Sequence, residues 1–192
     1  MVGAHRIVAG LDEVGRGCLA GPVVAAAVIL DPLHPIKGLT DSKKLSPAQR
    51  LRLAMEIREH ALACTIGRAE ASEIDRMNIL QASLLAMKRA YDALPFKPQW
   101  VQVDGNRFPP IGVAGEAIVG GDAQIAEISA ASIIAKVARD KEMEALDALY
   151  PGYDFAVHKA YPTANHKKRI ESLGISPAHR TSFGPVAKFL HR

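Results

Sequence analysis

The sequence predicts an α/β fold built on a mixed β-sheet. Two apolar runs near the start, Arg6–Asp12 and Pro22–Leu30, read as strands joined by a glycine-punctuated loop. Further along, strand-like and helix-like stretches alternate, as they do when helices cover a sheet. Hydrophobic residues make up 48% of the chain but aromatic ones only 5%, so Ala, Val, Ile and Leu must fill the core. A length of 192 residues suits one domain, and 23% charged residues mark a globular rather than a disordered chain.

The elements follow in order. Gly15, Gly17 and Gly21 separate the first two strands, and Asp31-Pro32 ends the second. The continuous apolar character of Val23–Leu30 is that of a strand buried on both faces. Ser46, Pro47 and Gln49 form the start signal of a helix, with a capping-box spacing and Pro at the first helical position. Leu51, Ala54, Met55 and Leu62 are its expected apolar face. Ala63–Ala69 reads as a third strand. Ser72 and Asp75 mark another helix start, and Leu80, Leu84, Met87, Tyr91 and Leu94 form one stripe of a long helix that Pro95 and Pro98 end. Gln99–Asp104 and Glu116–Val119 are two further short strands. Gly120-Gly121-Asp122 leads into a long helix expected over Ala123–Leu149, whose Ala- and Ser-rich middle allows close approach to a sheet. Tyr150-Pro151-Gly152 stops it, and helices are expected near Thr163–Leu173 and Gly184–Leu190. The division is thus a core to about residue 150 and a small helical part from 151 to 192, within a single domain.

Charge is unevenly spread. The net charge is +4 and the pI about 9.1. From Ala156 to Arg192 seven basic residues face one acid, a net +6 that leaves −2 for the rest. A basic face beside an acidic body suits a protein that grips phosphate in one place and holds cations in another; a solvated basic tail would look the same. Cys18 and Cys64 lie far apart and fit no metal spacing, which points to a reducing compartment. No run is long enough to span a bilayer and no signal-peptide pattern opens the chain, so a cytoplasmic protein without membrane contact is expected, and a monomer.

Four acids stand at element ends: Asp12 and Glu13 close the first strand, Asp104 closes a later one, and Asp122 opens the long helix. Strand ends are where α/β proteins place their sites. If all four met, each like-charge pair at about 5 Å would repel by roughly 3 kcal/mol and the six pairs by on the order of 20. Such a cluster needs shared protons or divalent cations. All-oxygen ligands select hard ions, hence Mg2+ or Mn2+, and two of them suit phosphodiester cleavage. Each acid has a plainer reading as well: Asp122 as a helix cap, Asp104-Gly105 as a turn. Asp12 and Glu13 would face opposite sides of a regular strand, unless the glycines that follow bend the chain.

Gly15-Arg16-Gly17-Cys18-Leu19-Ala20 matches a dinucleotide fingerprint, but Gly21-Pro22 and a strand follow where that fingerprint needs a helix. A nucleotide-dependent oxidoreductase is therefore disfavoured. The loop suits close backbone approach to nucleic acid, with Arg16 adding charge.

Read together, Asp12-Glu13-Val14-Gly15-Arg16-Gly17, Asp41-Ser42-Lys43-Lys44-Leu45-Ser46, Val103-Asp104-Gly105, Gly121-Asp122, Ala130–Asp140, His158-Lys159-Ala160-Tyr161 and His179–Phe183 resemble, in order, the motifs of the ribonuclease HII family. The resemblance runs from about Val8 to Val186. It implies a ribonuclease H-like fold, with a mixed five-stranded sheet flanked by helices and a small C-terminal helical part. It implies Asp12, Glu13, Asp104 and Asp122 as the catalytic, metal-binding set for a divalent metal. It implies that Gly15, Arg16 and Gly17 contact the ribose 2′-hydroxyl at an RNA–DNA junction, and that Tyr161 stacks on the following deoxyribose. The activity implied is endonucleolytic cutting of the RNA strand of RNA–DNA hybrids and of DNA containing ribonucleotides, on the 5′ side of the ribonucleotide. Ala160 departs from the family's usual glycine before the tyrosine, and Pro162 follows it.

Lys43, Lys44, Lys159 and Arg180 are further candidates for phosphate contact. Lys167, Lys168 and Arg169 suit a solvated helix face, while Lys136, Arg139 and Asp140 suit ion pairs on the long helix. His158, His166 and His179 have no zinc spacing and read as structural or phosphate-adjacent, and Ser132 reads as close packing. The competing function is a non-catalytic hybrid-binding module, which would gain nothing from clustered carboxylates beside phosphate.

Overall fold

The structure, a computed structural model, describes residues 6–190. Five strands form one sheet: β1 (Val8–Val14), β2 (Val23–Ile29), β3 (Ala63–Ala69), β4 (Trp100–Asp104) and β5 (Gly115–Ile118), in the spatial order β3-β2-β1-β4-β5. β1, β2 and β3 pair antiparallel, while β4 joins β1, and β5 joins β4, in parallel. The expected mixed sheet of five strands is observed.

β2 is buried along its whole length. Val23, Ala25, Ala27 and Ile29 face one layer, with α3 (Ile79–Asp92), and Ala26 and Val28 face the other, with α1 (Pro47–His60) and α4 (Ala126–Leu149). Both faces being covered, the strand has no polar side, which explains its continuous apolar run. The small residues bring backbones close. A Cβ on Gly10 of β1 would sit 2.1 Å from the Glu127 carbonyl carbon in the first turn of α4, and one on Gly67 of β3 would sit 2.2 Å from the Ala86 carbonyl oxygen of α3.

The helix starts obey local rules. Ser46 accepts from Gln49 N and the Gln49 side chain accepts from Ser46 N, the reciprocal capping box read from the sequence. The buried face of α1 differs from expectation. Leu53, Ala54 and Ile57 face the core, whereas Leu51, Met55 and Leu62 are exposed. Both sets repeat at helical spacing, and the choice is made by where α4 lies. The long helix expected after Ser72 is two helices, α2 (Ala71–Met77) and α3, broken at Asn78. Asn78 has φ +73° and its side chain caps α3 by accepting from Gln81 N. The helix expected from Ala123 begins at Ala126, after a 3-10 turn at Gly121–Ala123.

Past residue 150 come α5 (Phe155–His158), α6 (Ala164–Leu173) and α7 (Gly184–Ala187). α5 was not expected, and α7 stops short of Leu190. This part is seated on the loop between β1 and β2. Cys18 and Ala20 pack with Tyr153, Phe155 and Ala178, and Leu19 packs with Ile170 and Val186. On the far side, Asp75 of α2 accepts from the backbone N–H and hydroxyl groups of Thr181 and Ser182, at 2.6–2.9 Å. Among the described residues no helix is long and apolar enough to cross a membrane.

Candidate active site

The parallel pairing of β1, β4 and β5 brings their C-terminal ends to one edge of the sheet. Leu11 of β1 is paired with Val103 of β4, so Asp12 and Asp104 follow side by side. β4 is in turn paired with β5 through Asp104 and Ile118, and the short turn after β5 carries Asp122 back to the same place. One carboxylate oxygen from each of Asp12, Asp104 and Asp122 lies within 4.8 Å of the other two. Asp12 and Asp122 are each only 6% exposed.

Asp122 is not the cap of the long helix. It lies inside the 3-10 turn, with its N–H donating to Asp104 Oδ1 at 3.3 Å. α4 supports the cluster from below: Ser129 Oγ donates to the Asp122 carbonyl at 2.6 Å, and the Ser132 side chain favours the ionised form of Asp12. Ser132 Oγ also lies 2.9 Å from Ser42 Oγ, tying in the Asp41–Lys44 turn. Ser132 therefore does more than allow close packing.

Glu13 stands apart. β1 stays regular through Val14, so the alternation of a strand sends Glu13 to the face opposite Asp12, and the glycines do not bend it back. It shares a cavity of about 20 Å³ with Arg16, Asp104 and Asn106. Glu13 Oε1 accepts from Arg16 at 3.2 Å, while the buried Oε2 has no hydrogen-bond partner among the described residues. Asp104 borders both settings.

Electrostatics reflect the crowding. Burial, then Glu13 and Asp104, hold the Asp12 carboxyl well above the usual carboxylate range, with the Ser132 hydroxyl and the Glu13 backbone N–H opposing. Burial, Asp104 and Asp41 raise Asp122, against the pull of Lys43, whose Nζ lies 3.5 Å from Asp122 Oδ2. Burial also raises Glu13. A dry pocket of converging oxygens that resists full ionisation, with one orphaned carboxylate oxygen at its border, fits hard divalent cations.

The loop beside it is held from beneath by two fully buried arginines. Arg139 donates to the carbonyls of Pro22, Ala20 and Lys159 at 2.9–3.1 Å. Arg180 donates to those of Gly21 and Arg16 at 3.0 Å each. Gly15 has φ +93°, and a Cβ there would meet Arg139 Nε at 2.1 Å, so only glycine lets the loop lie on that guanidinium. Gly17 and Arg16 are exposed.

Two of the lysine and arginine expectations change. Arg180 is shut away from solvent and holds the loop, so it is not placed to touch phosphate. Lys159 is engaged by Glu144 at 2.9 Å and has only 17% of its side chain exposed. Lys43 and Lys44 are exposed, Lys43 with its Nζ 3.5 Å from Asp122 Oδ2, and Tyr161 is 40% exposed. Arg139 makes no ion pair along α4; Lys136 and Asp140 do, at 2.6 Å. The sequence reading missed the anchoring by Arg139 and Asp75. A lone arginine in an Ala-rich buried helix was the available signal for the first.

The family model for Ribonuclease HII matches residues 9–186. The chain belongs to the ribonuclease HII family. It is 60% identical, over 97% of its length and 96% of the relative's, to the Ribonuclease HII of Methylococcus capsulatus. Among solved structures it resembles the ribonuclease H2 from Pyrococcus horikoshii, with 28% identity and a TM-score of 0.79 over 95% of this chain and 96% of that one. It also resembles the RNase HII in a PCNA:RNase HII complex from Archaeoglobus fulgidus, with 28% identity and a TM-score of 0.72 over 92% and 95%. Membership of the ribonuclease HII family makes it a metal-dependent ribonuclease.

Ala160, where the ribonuclease HII family usually has glycine, has φ +63° and is fully buried. The left-handed backbone costs a non-glycine residue about 1–2 kcal/mol, while its buried methyl contributes about 0.8 kcal/mol. Ala160→Gly is therefore expected to change stability by no more than about 1 kcal/mol. Ala131→Gly in the buried middle of α4, losing helix propensity and a methyl together, should cost about 2 kcal/mol. Urea denaturation of both variants checks the contrast.

Proposed function

We propose that this protein cuts the RNA strand of RNA–DNA hybrids and nicks DNA on the 5′ side of embedded ribonucleotides, leaving 3′-hydroxyl and 5′-phosphate ends. The observation that carries the reading is the convergence of Asp12, Asp104 and Asp122 within 4.8 Å in a buried pocket beside the Gly15–Gly17 loop. In this reading those three acids hold Mg2+ or Mn2+, and Glu13, whose Oε2 is unpartnered, completes the set. Bound divalent cations supply Lewis acidity at the phosphate and a nucleophile at neutral pH.

The chain's own residues do the selecting. Only the 2′-hydroxyl distinguishes a ribonucleotide from its deoxy counterpart locally. The backbone of Gly15-Arg16-Gly17, with Gly15 lying on Arg139 and the Arg16 carbonyl accepting from Arg180, is the proposed sensor of that hydroxyl. Tyr161 is the proposed platform for the next sugar, and Lys43 and Lys44 offset phosphate charge. We assign the substrate-contacting role of the C-terminal part, residues 151–192, to Tyr161 and the loops around it, within a single domain. A hybrid-binding module without catalysis would have to bury these carboxylates beside phosphate with little besides Lys43 to offset them. Both cysteines are free, which suits a reducing cytoplasm, and we read the chain as a monomer.

The test is a nicking assay on a DNA duplex carrying one ribonucleotide, with product ends mapped. Cutting on the 5′ side with Mg2+ or Mn2+, and none in EDTA, is expected. Tight binding without cutting in either metal would favour the binding module.

A further inference from the structure

The C-terminal part holds three histidines that the proposed reaction does not use. His158, His166 and His179 gather around Phe155. His166 is fully buried and His179 is 2% exposed.

Their protons can be assigned from fixed partners. The Ser176 backbone N–H points at His179 Nδ1, 2.9 Å away. An amide N–H can only donate, so Nδ1 presents a lone pair and the neutral ring carries its proton on Nε2. That atom lies 3.1 Å from His166 Nε2, which must accept. His166 then carries its proton on Nδ1, 3.1 Å from the Tyr161 carbonyl oxygen, which can only accept. Starting from the carbonyl end gives the same assignment. Burial pushes both rings down to about 4, so each keeps a single proton at neutral pH.

His158 is set in a similar way. Its Nδ1 accepts from Ala160 N–H at 3.1 Å and its Nε2 donates to the Tyr153 carbonyl at 2.8 Å. Between these contacts, Lys159 and Ala160 lie at φ +50° and +63°, a region that residues with a Cβ avoid. Such strain persists where the surroundings over-determine the backbone. Here Arg139 holds the Lys159 carbonyl, Leu19 N–H holds the Ala160 carbonyl at 2.8 Å, and His166 holds the Tyr161 carbonyl. The bond from Leu19 also ties the tyrosine turn to the Gly15–Gly17 loop.

We propose that His179 and His166 form a one-way hydrogen-bond relay, anchored on the Ser176 amide, that fixes Tyr161 at a set distance from the Gly-Arg-Gly loop. Both histidines are positioning residues for the sugar next to the ribonucleotide. The proposal rests on the reading of Tyr161 as a substrate contact given above.

A double-substitution cycle tests it on a duplex carrying one ribonucleotide. His166→Phe fills a similar volume but neither accepts from His179 nor donates to Tyr161. It is expected to lower kcat/KM about tenfold in otherwise native protein and less than about twofold in a Tyr161→Ala background. Equal losses in both backgrounds would overturn the relay. Native-like cleavage by Tyr161→Ala alone would instead remove Tyr161 from substrate contact, and the relay's purpose with it. Nitrogen-15 spectra of the histidine rings in the native protein need no variant to fold. They should show His166 protonated at Nδ1, and His179 and His158 at Nε2; the opposite tautomer at His166 or His179 overturns the proposal.

Discussion

Asp12→Asn is expected to abolish cleavage, by about a thousandfold or more, while making the metal-free protein more stable than the native one. The two effects have one cause. Asp12 is packed 6% exposed against Asp104 and Asp122, with carboxylate oxygens within 4.8 Å. At that distance each ionised pair repels by roughly 3 kcal/mol, less whatever proton sharing relieves. Asparagine keeps the shape and can still accept from Glu13 N–H, which now reaches Asp12 Oδ1 at 2.7 Å. It removes the charge through which, in the proposed function, Asp12 holds cations. A gain of about 2 kcal/mol in EDTA corresponds to about 4–8 °C in Tm for a chain of this size. Added Mg2+ or Mn2+ should raise the Tm of the native protein and that of the variant much less, because only tight binding to the folded state stabilises it. Thermal melts of both proteins, with EDTA and with each metal, make the comparison. Equal melting in EDTA would mean that the acids do not strain the fold, and the case for a cation-dependent pocket would fail.

Gly10→Ala should be among the most damaging single-methyl changes at the described glycines. The added carbon would stand 2.1 Å from the Glu127 carbonyl carbon, 2.3 Å from its oxygen and 2.4 Å from Ile128 N, all of them backbone atoms. No side chain can turn away, so α4 must lift from β1. Overpacking of this kind costs about 3 kcal/mol or more. The displacement also reaches the site, because Ser129 on the same helix holds the Asp122 carbonyl and Ser132 holds Ser42 of the neighbouring turn. Cleavage at saturating metal should fall at least about tenfold, since small misplacements of catalytic groups are expensive. Gly17→Ala is the stability control: nothing lies within 4 Å of its added carbon. Its unfolding midpoint in urea should stay within about 0.5 kcal/mol of native, and a loss at Gly10 no larger than that would refute the close-packing account.

Local features of this protein were legible in its sequence. The apolar run of β2 and the Ser46–Gln49 capping box act through neighbours a few residues away, and each appears as read; the glycines make the loop between β1 and β2, though they do not bend Glu13 back to Asp12. The order of seven motifs pointed to the family that the comparisons identify. What proximity along the chain cannot encode was decided only by tertiary structure. Whether Leu51 or Leu53 faces inward depended on where α4 came to rest. Glu13 faced away from Asp12 because β1 stayed regular, its ladder completed by β2 and β4. Arg180 turned from a phosphate candidate into a support because its partner, the Arg16 carbonyl, is 164 residues away in sequence. Arg139 likewise reaches Ala20 across 119 residues. Spacing and capping report short-range interactions, whereas burial of a charge among distant carbonyls is a property of the assembled core, and no local pattern announces it.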